Sequence, residues 1–394
     1  MASDRRMSAA MDVATQRQRN GAGWTHVFAG SAPHAWRPRL ADTLLTALML
    51  GALAIGLGAC GDGEGEGAFA ASGEAGQPLP SATAARLSAG ELEGRTELRF
   101  GATPYLGDEG TREVFAAIAV ALSESLGVPV RFVVARDYQH LIDLAVRGDL
   151  EIMQLSPLSY VKAQEQLPNL RLVASSTSFG TDSYSSFLVV RTDSELHHLR
   201  DLRPRADGRG AKARLALVDP NSASGFLLPY LALREHGVDP ERDLDVQFLG
   251  SHEATLQAVL DGKADVAAVS SGTLHSARTG ESLGPGNLRL LYKAGRLPYD
   301  AVCVSAKLSE SAAQRIAAAL GTLDTRTARG REVLRKSRGM TGWTATDPAR
   351  YERLRASWRQ LRTLRWSRWA MDLPASASPA TAPAPATPNQ REQP

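Results

Sequence analysis

Residues 134–160 and 248–274 align without a gap at an offset of 114, and this constrains the fold of the 394-residue chain more than any other feature. With "VARDYQHLIDLAVRGDLEIMQLSPLSY" set over "FLGSHEATLQAVLDGKADVAAVSSGTL", Gly148 falls on Gly262, Leu144 on Ala258, Ile152 on Val266 and Ser156 on Ser270. Each half reads strand, helix, glycine turn, acidic residue, strand, serine. One βαβ unit used twice implies two similar lobes. In open α/β sheets ligands sit beyond the carboxyl ends of the strands, so Ser156 and Ser270 should face each other across a cleft.

The flanking pattern agrees. "LRFGAT" reads as a strand. "TREVFAAIAVALSESLG" puts Val114, Phe115, Ile118, Ala119, Leu122 and Leu126 on one face of a helix that Gly127 ends. The strands "LRLVASS", "YSSFLVVR", "ARLALVD", "LDVQFLG", "LRLLYKAG" and "AVCVSA" follow among helix-period segments, and a helical region closes the fold at about 309–364. Alternating β and α predicts an α/β fold in which each lobe is a mostly parallel sheet flanked by helices.

Composition excludes several function classes. The chain is 43% hydrophobic and 22% charged, which suits a globular protein with two cores. Its formal net charge of +3 comes from six Arg and three Asp within residues 1–59, so the remainder is neutral. No basic stripe interleaves with aromatics, and no nucleic-acid partner is expected. The sequence has no HExxH, P-loop or CxxC pattern, so no enzyme, no cofactor and no metal site are expected. His197 and His198 are adjacent and point different ways on a helix, as surface residues do. Cys303, inside "AVCVSA", reads as a small buried hydrophobe.

At the N-terminus, Arg37 and Arg39 precede 16 uncharged residues, Leu44 to Ala59. That run is short for a membrane span, which needs about 20 residues, but suits a signal-peptide core. It ends in "LGAC", similar to a lipobox, which makes Cys60 the expected lipidation site; an uncleaved anchor helix is the alternative. The boundaries expected are a lipoprotein signal peptide at 1–59, a flexible Gly/Ala/Ser/Glu tether at 60–94, a first lobe of 95–191 with 287–372, a second lobe of 192–286, and a disordered Pro/Ala-rich tail at 373–394.

The stretch "VDPNSASGFLLP", 218–229, places hydroxyls where a strand hands over to a helix. A helix start has unpaired amides and the positive end of the dipole, and phosphate-like anions bind there. Ser222 and Ser224 can donate O–H bonds, the Ala223 amide is available, and Gly225 would let an oxygen approach the backbone. Ser222 acting only as an N-cap is the competing reading.

"FGATPY", "GDLEIMQLSPLSYV", "YSSFLVVRTDS", "LALVDPNSASGFLLP" and "FLGSHEATLQAVLDGKADVAAV" together resemble the phosphate/phosphite/phosphonate-binding components of bacterial ABC importers, over about 97–345. The resemblance implies a two-lobed, type II periplasmic-binding-protein-like fold. It also implies a lipid-anchored extracytoplasmic monomer that captures a small phosphorus oxyanion by lobe closure for an ABC permease and its ATPase. The residues it points to are Tyr105, Ser156, Tyr160, Ser222, Ala223, Ser224, Gly225, His252 and Ser270. Asp182 and Tyr184 are further candidates, Ser159 is either a site residue or a cap, and Tyr105 and Tyr160 could instead be core or rim tyrosines. Family members that bind amino-phosphonates carry a carboxylate near the strand end where this chain has Ser270, so 2-aminoethylphosphonate is expected to bind worse than phosphite or methylphosphonate. Asp265 and Glu253 are the acids that could upset that order. A ligand-presenting sensor subunit and a binder of another small anion, such as a sulfonate, remain open.

Overall fold

The computed structural model describes Gln77, Leu79 and residues 86–204, 210–279 and 287–364, all within one unit, Glu64–Pro394. The expected signal peptide, Cys60 and the Pro/Ala-rich tail lie outside the described residues, as does most of the tether. No helix among the described residues is long and apolar enough to cross a membrane.

The chain runs β1 (Leu98–Ala102), α1 (Gly107–Leu126), β2 (Val130–Val134), α2 (Tyr138–Arg147), β3 (Ile152–Leu155), α3 (Pro157–Gln166) and β4 (Arg171–Ser178), then crosses into a second sheet at β5 (Ser183–Arg191). That sheet continues through β6 (Arg214–Leu217), α4 (Leu228–Glu235), α5 (Pro240–Asp243), β7 (Asp245–Phe248), α6 (His252–Leu260), β8 (Val266–Ser270), α7 (Ser271–Thr279) and β9 (Leu288–Pro298). The return leg is β10 (Ala301–Val304), α8 (Glu310–Gly321), α9 (Ala328–Leu334), β11 (Met340–Thr344) and α10 (Glu352–Thr363). The sheet orders are β11-β4-β10-β3-β1-β2 and β7-β6-β8-β5-β9.

The repeat has a structural counterpart. β2-β1-β3 and β7-β6-β8 are both parallel triplets. Helices α2 and α6 start at the same repeat position, each behind a side-chain cap, Asp137 and Ser251. Gly148 and Gly262 both take the left-handed conformation, at φ 75° and 68°, where glycine carries no Cβ penalty. Each triplet is pinned at its amino end by the same ion pair. Arg99 of β1 binds Glu151 through its amide (2.9 Å) and guanidinium (2.9 Å), and Arg214 of β6 binds Asp265 likewise (2.8 and 2.7 Å).

Three expectations are corrected. The sheets are mixed rather than mostly parallel, because the strands next to the crossings, β5, β9 and β10, pair antiparallel with their neighbours. The lobe boundaries at 191/192 and 286/287 assign β5 and β9 to the first lobe, whereas their ladders put both in the second sheet, so the chain crosses between Ser178 and Ser183 and again between Pro298 and Ala301. The region 309–364 contains a strand, β11: Trp343 lies within it, and it pairs with β4.

One apolar cluster packs α1, α8 and α9 on a face of the first sheet, and another packs α6 on the second. The third is shared. Leu141, Leu155 and Tyr160 of the first lobe join Leu188, Leu215 and Phe226 of the second in a continuous core, and α10 contributes Leu354, Trp358 and Leu361. Cys303 is buried in β10 as a free thiol, its pKa pushed up by burial. His197 and His198 are exposed.

Candidate functional site

Both triplets end at a cavity of about 80 Å3 between the lobes. That is several times the roughly 10–15 Å3 that admits one water. A much wider depression of about 1510 Å3 runs along β9 and α10, past Asp182, Arg296 and Arg353. It lies open to solvent, and only Asp182 of the sequence candidates lines it, so the site is built around the smaller cavity.

Seven of the nine proposed residues line that cavity: Tyr105, Ser156, Ser222, Ala223, Ser224, His252 and Ser270. The helix after β6 opens with one π turn, Ala223–Leu227, before α4. The Ala223 and Ser224 amides have no hydrogen-bond partner among the described residues. Ser222 is an N-cap: its Oγ accepts from the Gly225 amide at 3.0 Å, which leaves the O–H free to donate into the cavity.

His252, the first residue of α6, is 6% exposed. Its Nδ1 accepts from the Ser270 amide at 3.2 Å, and an amide can only donate. The proton of the neutral ring is therefore on Nε2, which lies 3.4 Å from Ser224 Oγ. Burial pushes the imidazole pKa down to about 4, so at neutral pH the ring is an uncharged N–H donor. Ser270 caps α7, its Oγ taking the Thr273 amide at 3.1 Å. In the first lobe Ser156 caps α3, and its Oγ reaches the Asn221 carbonyl of the second lobe at 3.4 Å.

Two candidates lie elsewhere. Tyr160 sits one turn into α3, where its ring turns to the shared core and meets Tyr351 edge-on at 4.8 Å. Gly225 does not line the cavity. Its amide is spent on Ser222, and a Cβ there would lie 2.3 Å from Val218 Cγ2, so the glycine serves packing against β6 rather than access for an oxygen. Of the further candidates Tyr184 lines the cavity and Asp182 does not; Asp182 pairs with Arg350 at 2.9 Å. Ser159 is fully buried and donates its amide to Ser156 Oγ at 3.3 Å.

Sequence reasoning missed Tyr138, Tyr299, Asp300 and Arg338, all of which line the cavity. Tyr138 had a signal: the repeat sets it over His252, and both open their helices at the cavity. Burial pushes the phenol pKa values of Tyr105, Tyr138, Tyr184 and Tyr299 up, so all four stay protonated donors. Asp300 sits at the β9–β10 crossing. Burial pushes its carboxyl up to about 7, and Gln154 pulls the other way. The Gln154 NH2 itself makes no hydrogen bond among the described residues. Glu253 is raised by burial, and Arg338, 3.2 Å away across the lobes, pulls it down. Two carboxyls thus line the cavity, which overturns the premise that Ser270 leaves an ammonium group without a charged acceptor. Asp265 is bound to Arg214 at the far end of β8.

The lining holds one guanidinium, already paired, against two carboxyls. An anion here would be held by amides, hydroxyls, phenols and a neutral imidazole rather than by counter-charge. No group of three or more His, Cys, Asp or Glu able to hold a metal occurs among the described residues.

The family model for "ABC transporter, phosphonate, periplasmic substrate-binding protein" matches residues 100–351, from β1 to the turn before α10, and so spans both lobes and the cavity. The chain belongs to that family. Its members are binding proteins rather than enzymes. The phosphonates-binding periplasmic protein of Escherichia coli (strain K12) is 25% identical over 224 residues, 56% of this chain and 64% of that one. The phosphate-import protein PhnD of Mycolicibacterium smegmatis is 26% identical over 185 residues, 44% of this chain and 55% of that one. This chain therefore matches less than two thirds of the length of either relative. PhnD1 from Prochlorococcus marinus (MIT 9301), solved in complex with methylphosphonate, superposes with a TM-score of 0.61 over 68% of this chain and 99% of that one at 21% identity, a likeness of fold.

Proposed function

We propose that this family member captures a small phosphorus oxyanion (a phosphonate, phosphite or phosphate) between its lobes, outside the cytoplasm, and delivers it to an ABC permease and its ATPase. One observation carries the reading. The unpartnered amides of Ala223 and Ser224, at a helix start, meet the Ser222 hydroxyl and the His252 Nε2–H in the cavity between the lobes. Tyr105, Tyr138 and Ser156 would complete the shell from the first lobe. Anchoring through a lipidated Cys60 belongs to the same proposal. It is motivated by the apolar run ending in "LGAC".

Calorimetric titration of the protein with methylphosphonate, phosphite, phosphate, 2-aminoethylphosphonate and sulfate tests the ligand class. Saturable binding of at least one phosphorus anion in preference to sulfate is expected; binding of sulfate alone, or of none, defeats the reading. Metabolic palmitate labelling tests the anchor. Cys60→Ala should remain unlabelled, and equal labelling of mutant and wild type defeats it.

A further inference from the structure

α3 touches the second lobe twice. At its start Ser156 Oγ reaches the Asn221 carbonyl at 3.4 Å. Further along, Lys162 donates from Nζ to Asn221 Oδ1 at 2.5 Å and to the Pro220 carbonyl at 3.4 Å. Lys162 is 6% exposed and makes no ion pair among the described residues. Its ammonium lies 4.2 Å from the centroid of the Trp358 ring of α10, and that indole donates to Glu165 at 3.3 Å. Burial pushes the Lys162 pKa down to about 8, with the charges of Asp219 and Glu165 pulling the other way. A buried ammonium resting on a ring face and two uncharged oxygens is an expensive way to fill space; a leucine or methionine would pack there at less cost.

The residues it grips lead straight into the anion-binding turn. The Asn221 amide donates to Asp219 Oδ1 at 2.7 Å and the Ser222 amide to the Asp219 carbonyl at 2.8 Å. These bonds lock residues 219–222 into one turn, and Ala223 and Ser224 follow it. Lys162 itself does not line the cavity.

We propose that Lys162 is a positioning residue of the anion site, a strut from the first lobe that fixes Pro220 and Asn221 and, through them, the turn presenting Ser222, Ala223 and Ser224. The proposal rests on the anion reading of the cavity.

Lys162→Met keeps the stem against Trp358 and removes the donor. Calorimetry with methylphosphonate and phosphite should show binding weakened about tenfold or more, since the turn that presents Ser222, Ala223 and Ser224 is no longer pre-organised for the anion. Lys162→Arg should recover most of that loss. Asn221→Ala should weaken binding similarly, and Lys162→Met with Asn221→Ala should be little worse than either alone, because both remove one shared interaction. The melting temperature of Lys162→Met should hold or rise, as a desolvated charge is gone. Lys162→Met binding like wild type overturns the strut. So does a melting temperature that falls in both Lys162 variants with no change in affinity. Should Lys162→Met fail to fold, Asn221→Ala carries the same test. A wild type that binds no phosphorus anion overturns the anion reading and the strut together, whereas a wild type that binds as well as Lys162→Met does overturns the strut alone.

Discussion

His252 is held neutral by geometry as well as by burial: the Ser270 amide occupies Nδ1, and a second proton there would have to break that bond. Its pKa falls from 6.5 to about 4, so between those values the unfolded chain binds a proton that the folded chain refuses. Stability from this residue is therefore complete above about pH 6.5 and is lost as the pH falls toward 4. Lowering the pH from 7 to 5 should cost wild type about 2 kcal/mol more than His252→Gln, read as the difference between two denaturant titrations. Ser222 makes a separable prediction. Ser222→Ala removes one hydroxyl from a desolvated anion and should weaken methylphosphonate binding about 10- to 150-fold, while the lost cap costs the fold only about 1 kcal/mol. Unchanged affinity with lowered stability would leave Ser222 as a cap alone. Asp300 titrates near neutrality, so its charge at pH 8 should repel a dianion that its acid form at pH 6 can hydrogen-bond. Asp300→Asn should flatten that part of the pH dependence of affinity, measured by titration at both pH values.

The π turn shows how an element's sequence serves packing and chemistry at once. Gly225 puts no Cβ against Val218, which lets the helix start close over the end of β6. Gly225→Ala should destabilise the protein by about 1–3 kcal/mol through overpacking, and Val218→Ala in the same chain should recover part of that in thermal melts. The βαβ repeat, its glycine turns and the cap positions were legible because local chemistry fixes them: a 3.6-residue period, a left-handed glycine, an oxygen side chain before a helix. The seven expected residues that line the cavity all lie in the repeat or at the turns that follow β1 and β6. Tyr299, Asp300 and Arg338 were not legible, because each reaches the cavity from the β9–β10 crossing or from the turn between α9 and β11, which no local period encodes. The strand β11 was hidden likewise. Gly342 interrupts "MTGWT", and its partner β4 lies more than 160 residues earlier in the chain. Tyr160 was misplaced because, one turn deeper in α3 than the Ser156 cap, its ring packs against Tyr351 in the shared core instead of reaching the cavity.

At the scale of the whole molecule, the cavity is lined from both lobes, so separating them would break the contacts to an anion held there. The shared core limits how they separate. Leu354, Trp358 and Leu361 of α10 pack into a cluster contributed by both lobes, and a rotation that kept this cluster intact would pivot near α10 and the two strand crossings. Opposite that pivot the lobes meet through Arg338, whose carbonyl takes the Ser276 hydroxyl at 3.0 Å and whose guanidinium meets Glu253 at 3.2 Å. Hinge closure driven by contacts made only in the closed state should therefore follow ligand binding. Small-angle scattering should give a smaller radius of gyration with saturating methylphosphonate than without, and an identical profile would mean a rigid site. The Arg338 clasp sharpens the test. Its side chains are 53% and 32% exposed, and pairs so exposed contribute about 0–1 kcal/mol. If the guanidinium only clasps Glu253, Arg338→Ala should weaken binding by no more than about fivefold and leave the compaction in place. A loss well beyond tenfold would instead put that guanidinium on the anion itself.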